Sequence, residues 1–163
     1  MYATAQDLID RFGESELIQL TDPELLAIGQ AKIDRALADA HALADGLLAR
    51  VYRLPLIGCV KPAPTPDDPQ ATVTVPPPQL VRAVCDMARY YLYDDLAPES
   101  EIVRRFKQAQ TELQAIAEGK AQLMCPWGGE PGAPLTSGAL GDGETFFEFS
   151  PRKITDDSAG GYR

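Results

Sequence analysis

The chain has 163 residues, 45% of them apolar, which suits one domain with a modest core and is too much for wholesale disorder. Its 24 acidic and 15 basic residues leave a formal net charge of −9. That balance favours solubility and argues against charge-driven wrapping of nucleic acid, while leaving room for lining a passage through which DNA slides. No apolar run approaches the roughly 20 residues needed to cross a bilayer, so no membrane partner is expected.

The first helix is predicted from Thr4, which can cap it, with Asp7 three residues on where a carboxylate suits the helix dipole. Gly13 is a natural stop, and a short helical piece over residues 14–20 follows. Thr21-Asp22-Pro23-Glu24 reads as a strong start signal: Asp22 as cap, Pro23 at the first helical position, Glu24 complementing the dipole. A helix to about residue 50 is expected from it. Its stripe is Leu26, Ile33, Leu37, Ala40, Ala44, Leu47 and Val51, one face of a 3.6-residue period.

A proline-punctuated excursion over residues 54–78 comes next and holds eight of the fourteen prolines. A compact domain seldom spends more than about 12–15 residues on a structureless loop without a purpose. Thr72-Val73-Thr74-Val75 alternates β-branched residues and is predicted as a short strand, with Leu56-Ile57 or Cys59-Val60 as partner, or as an extended arm. Pro76, Pro77 and Pro78 impose a stiff approach to the next helix. That helix, residues 79–93, is the most apolar of the chain and is expected at the centre of the bundle. After a break at Asp94-Asp95-Leu96-Ala97-Pro98, a last helix opens at Pro98 or Glu99 and runs to about residue 118, where Gly119 stops it.

Beyond Leu123 the periodicity fails. Residues 125–134 are turn chemistry, and Thr145-Phe146-Phe147-Glu148-Phe149 reads as a strand ended by Pro151. The expected architecture is mainly α: a small bundle of about four helices over residues 1–123. It carries a Pro-rich, partly β arm at about 54–78 and an extended C-terminal arm, 124–163, with a short strand near 145–149.

Candidate chemistry is sparse. His41, the single histidine, lies mid-helix with Asp45 one turn on, and the pair does not make a triad. The acidic doublets Asp67-Asp68 and Asp94-Asp95 lack calcium-loop spacing, and no Gly-rich stretch has the form of a phosphate loop. Cys59, Cys85 and Cys125 are an odd, widely spaced set, read as three free thiols of a reducing compartment. The opening Tyr2-Ala3-Thr4-Ala5-Gln6-Asp7 lacks a charged start followed by an apolar run, so synthesis in the cytoplasm is expected. No catalytic residue, metal or cofactor is expected.

Aromatic and β-branched residues are the better candidates. Tyr90, Tyr91 and Tyr93 cluster at a helix end, as core packing with phenol tips at the surface or as interface anchors. Trp127, Phe146, Phe147 and Phe149 sit in a Gly/Pro-rich segment that cannot bury them by its own periodic packing. Either that segment folds back on the bundle, or these side chains dock on another subunit, as interface aromatics do. Val73 and Val75 on the arm join them as candidate anchors.

Several segments, in order and spacing, carry a resemblance. They are Tyr2-Ala3-Thr4-Ala5-Gln6-Asp7-Leu8-Ile9-Asp10-Arg11-Phe12-Gly13; residues 22–53 with the exit Tyr52-Arg53-Leu54-Pro55-Leu56; residues 76–93; and Arg104-Arg105-Phe106-Lys107-Gln108-Ala109 followed by residues 113–119. Together, over about residues 1–123, the chain resembles the phage Mu-like head–tail connector (adaptor) family of virion structural proteins. The resemblance implies a non-enzymatic subunit of a ring, commonly twelve-fold, in the virion neck, assembled in the host cytoplasm. The implied partners are copies of itself, the portal protein and a tail-proximal neck or tail-terminator protein, with DNA passing through unread. The alternative is a non-virion phage assembly chaperone or regulatory protein-binding module.

Overall fold

A computed structural model describes residues 1–22, 24, 26–93, 97 and 99–135. It contains five helices and one two-stranded sheet among those residues. Helix α1, Ala5–Phe12, opens on a reciprocal capping box: the Asp7 N–H donates to Thr4 Oγ1, and the Thr4 N–H donates to Asp7 Oδ2 at 2.7 Å. Gly13 ends it at φ 87°, a value that an L side chain rarely adopts, and its N–H donates to the Ile9 carbonyl. Helix α2, Glu14–Thr21, follows directly.

The next helix, α3, spans Gln30–Leu48 rather than starting behind Asp22 as the sequence implies. Asp22 does cap, but it caps a turn. Its carboxylate accepts from the backbone N–H groups of Glu24, Leu26 and Ala27, which hold its pKa below the usual range. The turn is then pinned by Gly29, whose N–H donates to Thr21 Oγ1 and where an added Cβ would meet the Thr21 carbonyl at 2.8 Å. Leu26 therefore leaves the apolar stripe and is 77% exposed. Of the rest of the stripe, Ile33, Leu37, Ala40 and Ala44 are buried, joined by Ala36 and Leu48, while Leu47 and Val51 are partly buried and Val51 lies past the helix end.

Strands β1, Cys59–Pro62, and β2, Thr72–Val75, form an antiparallel hairpin in which Cys59 faces Val75 and Lys61 faces Val73. Of the alternatives open to Thr72–Val75, the structure takes the pairing with Cys59 and Val60. Toward the tip, the Ala63 N–H donates to the Ala71 carbonyl and Thr65 and Asp68 close a turn. Helix α4, Pro78–Leu92, packs between α3 and α5, the central position expected for the most apolar helix. Helix α5, Glu101–Ala117, is capped by Ser100, slightly later than Pro98 or Glu99. Residues 120–135 turn back along the bundle toward the hairpin root.

The contrast at Leu26 gives a test. Leu37→Ala, in the fully packed core, is expected to cost about 2–5 kcal/mol. Leu26→Ala is expected to stay within about 0.5 kcal/mol, as a surface change does. Urea unfolding followed by far-UV circular dichroism measures both, and comparable losses would contradict the Gln30 start of α3.

Candidate functional site

Two strands and a turn converge where the hairpin leaves the bundle. Cys59, at the start of β1, is joined in a disulfide to Cys125, with Cα atoms 5.4 Å apart. This corrects the expectation of three free thiols; Cys85 alone is free, and it is buried in the core. Their separation of 66 residues closes a long loop, which in the chain-entropy account restricts the unfolded state by about 4 kcal/mol. So wide a spacing makes no local motif, which is why counting cysteines missed it. The available signal was position: both lie in the two segments that interrupt the helical pattern.

Around this bond the C-terminal segment runs antiparallel to the chain leaving α3. The Arg53 N–H donates to Ala133 O, the Gly58 N–H to Pro131 O, and the Leu135 N–H to Val51 O. Tyr52 and Pro134 form an isolated antiparallel bridge. The buried Tyr52 hydroxyl accepts from the Leu123 N–H at 3.0 Å. Gly132 allows close approach, because a Cβ there would meet Leu56 Cδ2 at 2.8 Å. Gly128 and Gly129, at φ 97° and 81°, turn the chain so that Cys125 faces the hairpin root.

Side chains two apart on a strand share a face, so Cys59 and Lys61 on β1 lie with Val73 and Val75 on β2. Trp127 lies against this face, with the Lys61 Nζ 5.6 Å from its ring centroid. A recess of about 360 Å³ is lined by Lys61, Val75, Pro76, Val81 and Trp127. Trp127 stays 40% exposed there, and Val73, on the same strand face but outside that recess, is 44% exposed. The structure thus brings together Val73, Val75 and Trp127. Phe146, Phe147, Phe149 and the strand expected at 145–149 lie outside the described residues.

The tyrosines form a separate cluster on the bundle. Tyr90 stacks on Phe106 of α5 with centroids 4.2 Å apart, and Tyr91 meets both rings edge-on. Tyr93 donates its hydroxyl to Glu16 of α2, which also takes a two-pronged contact from Arg89. Burial first, then the Glu16 carboxylate, push the Tyr93 phenol pKa up. Tyr90 and Tyr93 therefore tie α4 to its neighbours, while Tyr91 is 37% exposed.

His41 has a positional role. Its Nε2 accepts from the backbone N–H groups of Tyr2 and Ala3, at 2.9 and 3.1 Å. The ring's acceptor nitrogen is thereby committed, which leaves no lone pair for general-base work. Asp45 bonds to the Tyr2 hydroxyl rather than to His41. Among the described residues, no group of three or more His, Cys, Asp or Glu side chains is placed to hold a metal ion. No helix of those residues is long and apolar enough to cross a membrane.

Burial, then the N-terminal amine, hold the His41 pKa below 6.5, against the pull of Asp45 and the Leu37 carbonyl. The unfolded chain therefore takes up a proton that the fold refuses. The clamp's contribution is full above about pH 6.5 and is lost as pH falls toward the folded value. The melting-temperature gap between wild type and His41→Ala is accordingly expected to narrow below pH 6.5 in scanning calorimetry. A gap independent of pH would contradict the clamp.

Residues 2–138 match the protein family described as Bacteriophage Mu, Gp36. Over 146 residues the chain is 32% identical to "Gene product J" of Escherichia phage Mu, a match covering 88% of this chain and 84% of that protein. The matched range takes in the bundle, the hairpin and the segment bound to its root. The chain belongs to the Bacteriophage Mu Gp36 family and is a Mu-type phage protein.

Proposed function

We propose that this chain is a structural virion protein, a head–tail connector subunit that forms a ring between the portal of the capsid and the tail. The observation that carries this reading is the division of labour in the fold. The core is closed within the bundle, while the hairpin projects from its rim and residues 123–135 lie back along the bundle and fasten the hairpin's root. An isolated two-stranded hairpin is marginal in water, and its outer edges invite another chain. A ring built from heterologous contacts needs two different faces on each subunit. The bundle surface around Tyr91 and the hairpin face around Val73, Val75 and Trp127 are two such faces.

On this reading the partners are copies of the chain itself, probed first as a dodecamer, together with the portal protein and a tail-proximal neck or tail-terminator protein. The role is assembly without catalysis or cofactor, in the neck of the virion. The net charge of −9 lets DNA pass without being gripped, since tight phosphate binding needs a basic footprint. Phe146, Phe147 and Phe149 serve as anchors for a neighbour, in the manner of interface aromatics.

Quantitative mass spectrometry of purified particles tests this reading against the alternative of an assembly chaperone or regulatory module. A connector is present at ring stoichiometry; an assembly factor is absent from finished particles. A variant lacking residues 136–163 keeps every contact described above, so it is expected to fold with the wild-type melting temperature and to fail to enter particles. Normal infectious particles from that variant would remove the role given to the three phenylalanines.

A further inference from the structure

The Cys59–Cys125 bond sits oddly in a chain expected to be made in a reducing cytoplasm, where thiols stay reduced. It is also the one covalent tie, among the described residues, between the hairpin root and the segment of residues 120–135. Cys59 is fully buried at the hairpin root and Cys125 is 6% exposed at the mouth of its turn. The Gly58–Pro131 hydrogen bond and Lys61 over Trp127 join the hairpin itself to that segment, while the Arg53–Ala133 and Leu135–Val51 hydrogen bonds and the Tyr52–Pro134 bridge hold the segment to the chain leaving α3. The third cysteine does not compete. Cys85 lies inside the bundle, and burial pushes its thiol up to about 12, which keeps it protonated and unreactive in exchange.

We propose that Cys59 and Cys125 form a thiol–disulfide latch, open while the chain is in the host and closed once it leaves the reducing cytoplasm, which locks the hairpin and residues 125–135 into one body. The inference rests on the reading of these two segments as docking elements. The oxidant is a low-molecular-weight disulfide. The Cys125 thiolate, the more accessible of the two, attacks one of its sulfurs, and the first small thiolate leaves. The Cys59 thiolate then attacks Cys125 Sγ, the protein disulfide forms, and the second small thiolate leaves. The two protons lost by the cysteines end on the two small thiols, and two electrons have passed to the oxidant. While the latch is open, hairpin and C-terminal segment adjust to their partners separately. Once it is closed, parting them at the root requires breaking a covalent bond.

Hydrogen exchange on the purified full-length chain tests the joint, in dithiothreitol and in oxidised glutathione. Amides of residues 58–62 and 125–135 are expected to exchange at least tenfold more slowly when oxidised, with α3, α4 and α5 unchanged. The Cys59→Ser/Cys125→Ser double variant is expected to show no redox response. Equal exchange in both buffers would overturn the latch. For its timing, thiols are trapped with N-ethylmaleimide in producing cells, and the trapped chain is compared with chain recovered from the medium after lysis. Alkylated Cys59 and Cys125 in cells and a linked 59–125 peptide outside are expected. The linked peptide already present in cells, or free thiols outside, would overturn it. None of these readouts requires the chain to be in particles, so loss of the connector reading and loss of the latch remain distinct results.

Discussion

Helix α4 carries a wide apolar arc beside a polar strip of Gln79, Arg82, Asp86 and Arg89, and the need to cover that arc is the constraint the rest of the fold obeys. Leu80, Val84, Met87 and Ala88 are buried on it, and so are Ala83, Cys85 and Leu92. So wide an arc needs more than one neighbour to bury it. Helices α3 and α5 both pack on it and also touch each other, and α1 contacts α3 and α4. The Pro76-Pro77-Pro78 run delivers the chain to α4 in a stiff, extended form, with Pro77 fully buried. The connection from α3 therefore has no place inside the bundle. It leaves at the rim, and the hairpin is the form in which it can satisfy its own backbone groups outside the core.

Polar contacts orient this packing more than they drive it. Arg89 holds Glu16 in a two-pronged contact and lies 4.5 Å from the Phe12 ring centroid, so one side chain on α4 positions both α1 and α2. Asp86 is buried at 7%, and burial raises its pKa although Arg105, Arg82, Arg11 and Arg89 all pull the other way. Its nearest ion-pair partner, Arg82, is 3.8 Å away and is shared with Glu112 of α5. A half-satisfied buried carboxylate is weak evidence for stability. It makes better sense as a device that admits only one rotation of α4 against α1 and α5.

Most of the helical frame was legible from residue spacing and end chemistry. Thr4 with Asp7, Gly13, Pro78 and Gly119 mark boundaries that the structure keeps to within a residue or two. The start of α3 was not legible, because Asp22 followed by proline carries the same local signal whether it caps a helix or a turn. What decides it is Gly29 closing on Thr21 eight residues back, a contact between particular atoms that residue type and spacing do not announce. The hairpin was legible as β-branched alternation, but its register was not, since either Leu56-Ile57 or Cys59-Val60 could face Thr72–Val75. Register is set by Gly58, where a Cβ would meet Val75 O and Thr74 Cγ2 at 2.9 Å. Of the site, Val73, Val75 and Trp127 were readable singly as apolar residues without a periodic home. Val73 and Val75, two apart on a strand, were readable as one face, but that Trp127 joins them was not, because it depends on a chain reversal at Gly128 and Gly129 and on a bond across 66 residues.

That reversal alters what the hairpin can do. Residues 131–135 run along the segment leaving α3, and Cys125 closes on Cys59, so the root of the hairpin is held by three stretches of chain instead of two. The tip is closed by the Thr65–Asp68 turn, the Ala63–Ala71 pair, and the Gln70 and Ala71 N–H groups donating to Asp68. The root is thus held by contacts to the body, whereas the tip is held by contacts within the hairpin alone among the described residues. A surface ordered before binding loses less conformational entropy when a partner arrives, and the saving appears as affinity. On the proposed reading this favours Val73, Val75 and Trp127, near the root, as the residues that fix where a neighbour sits. The proline-rich tip, residues 62–69, is then left to conform to whatever surface the neighbour presents. The acidic pair Asp67-Asp68 at that tip carries the same sign as the chain's overall charge, so a second copy approaching there must offer one of its arginine-bearing faces rather than its average surface.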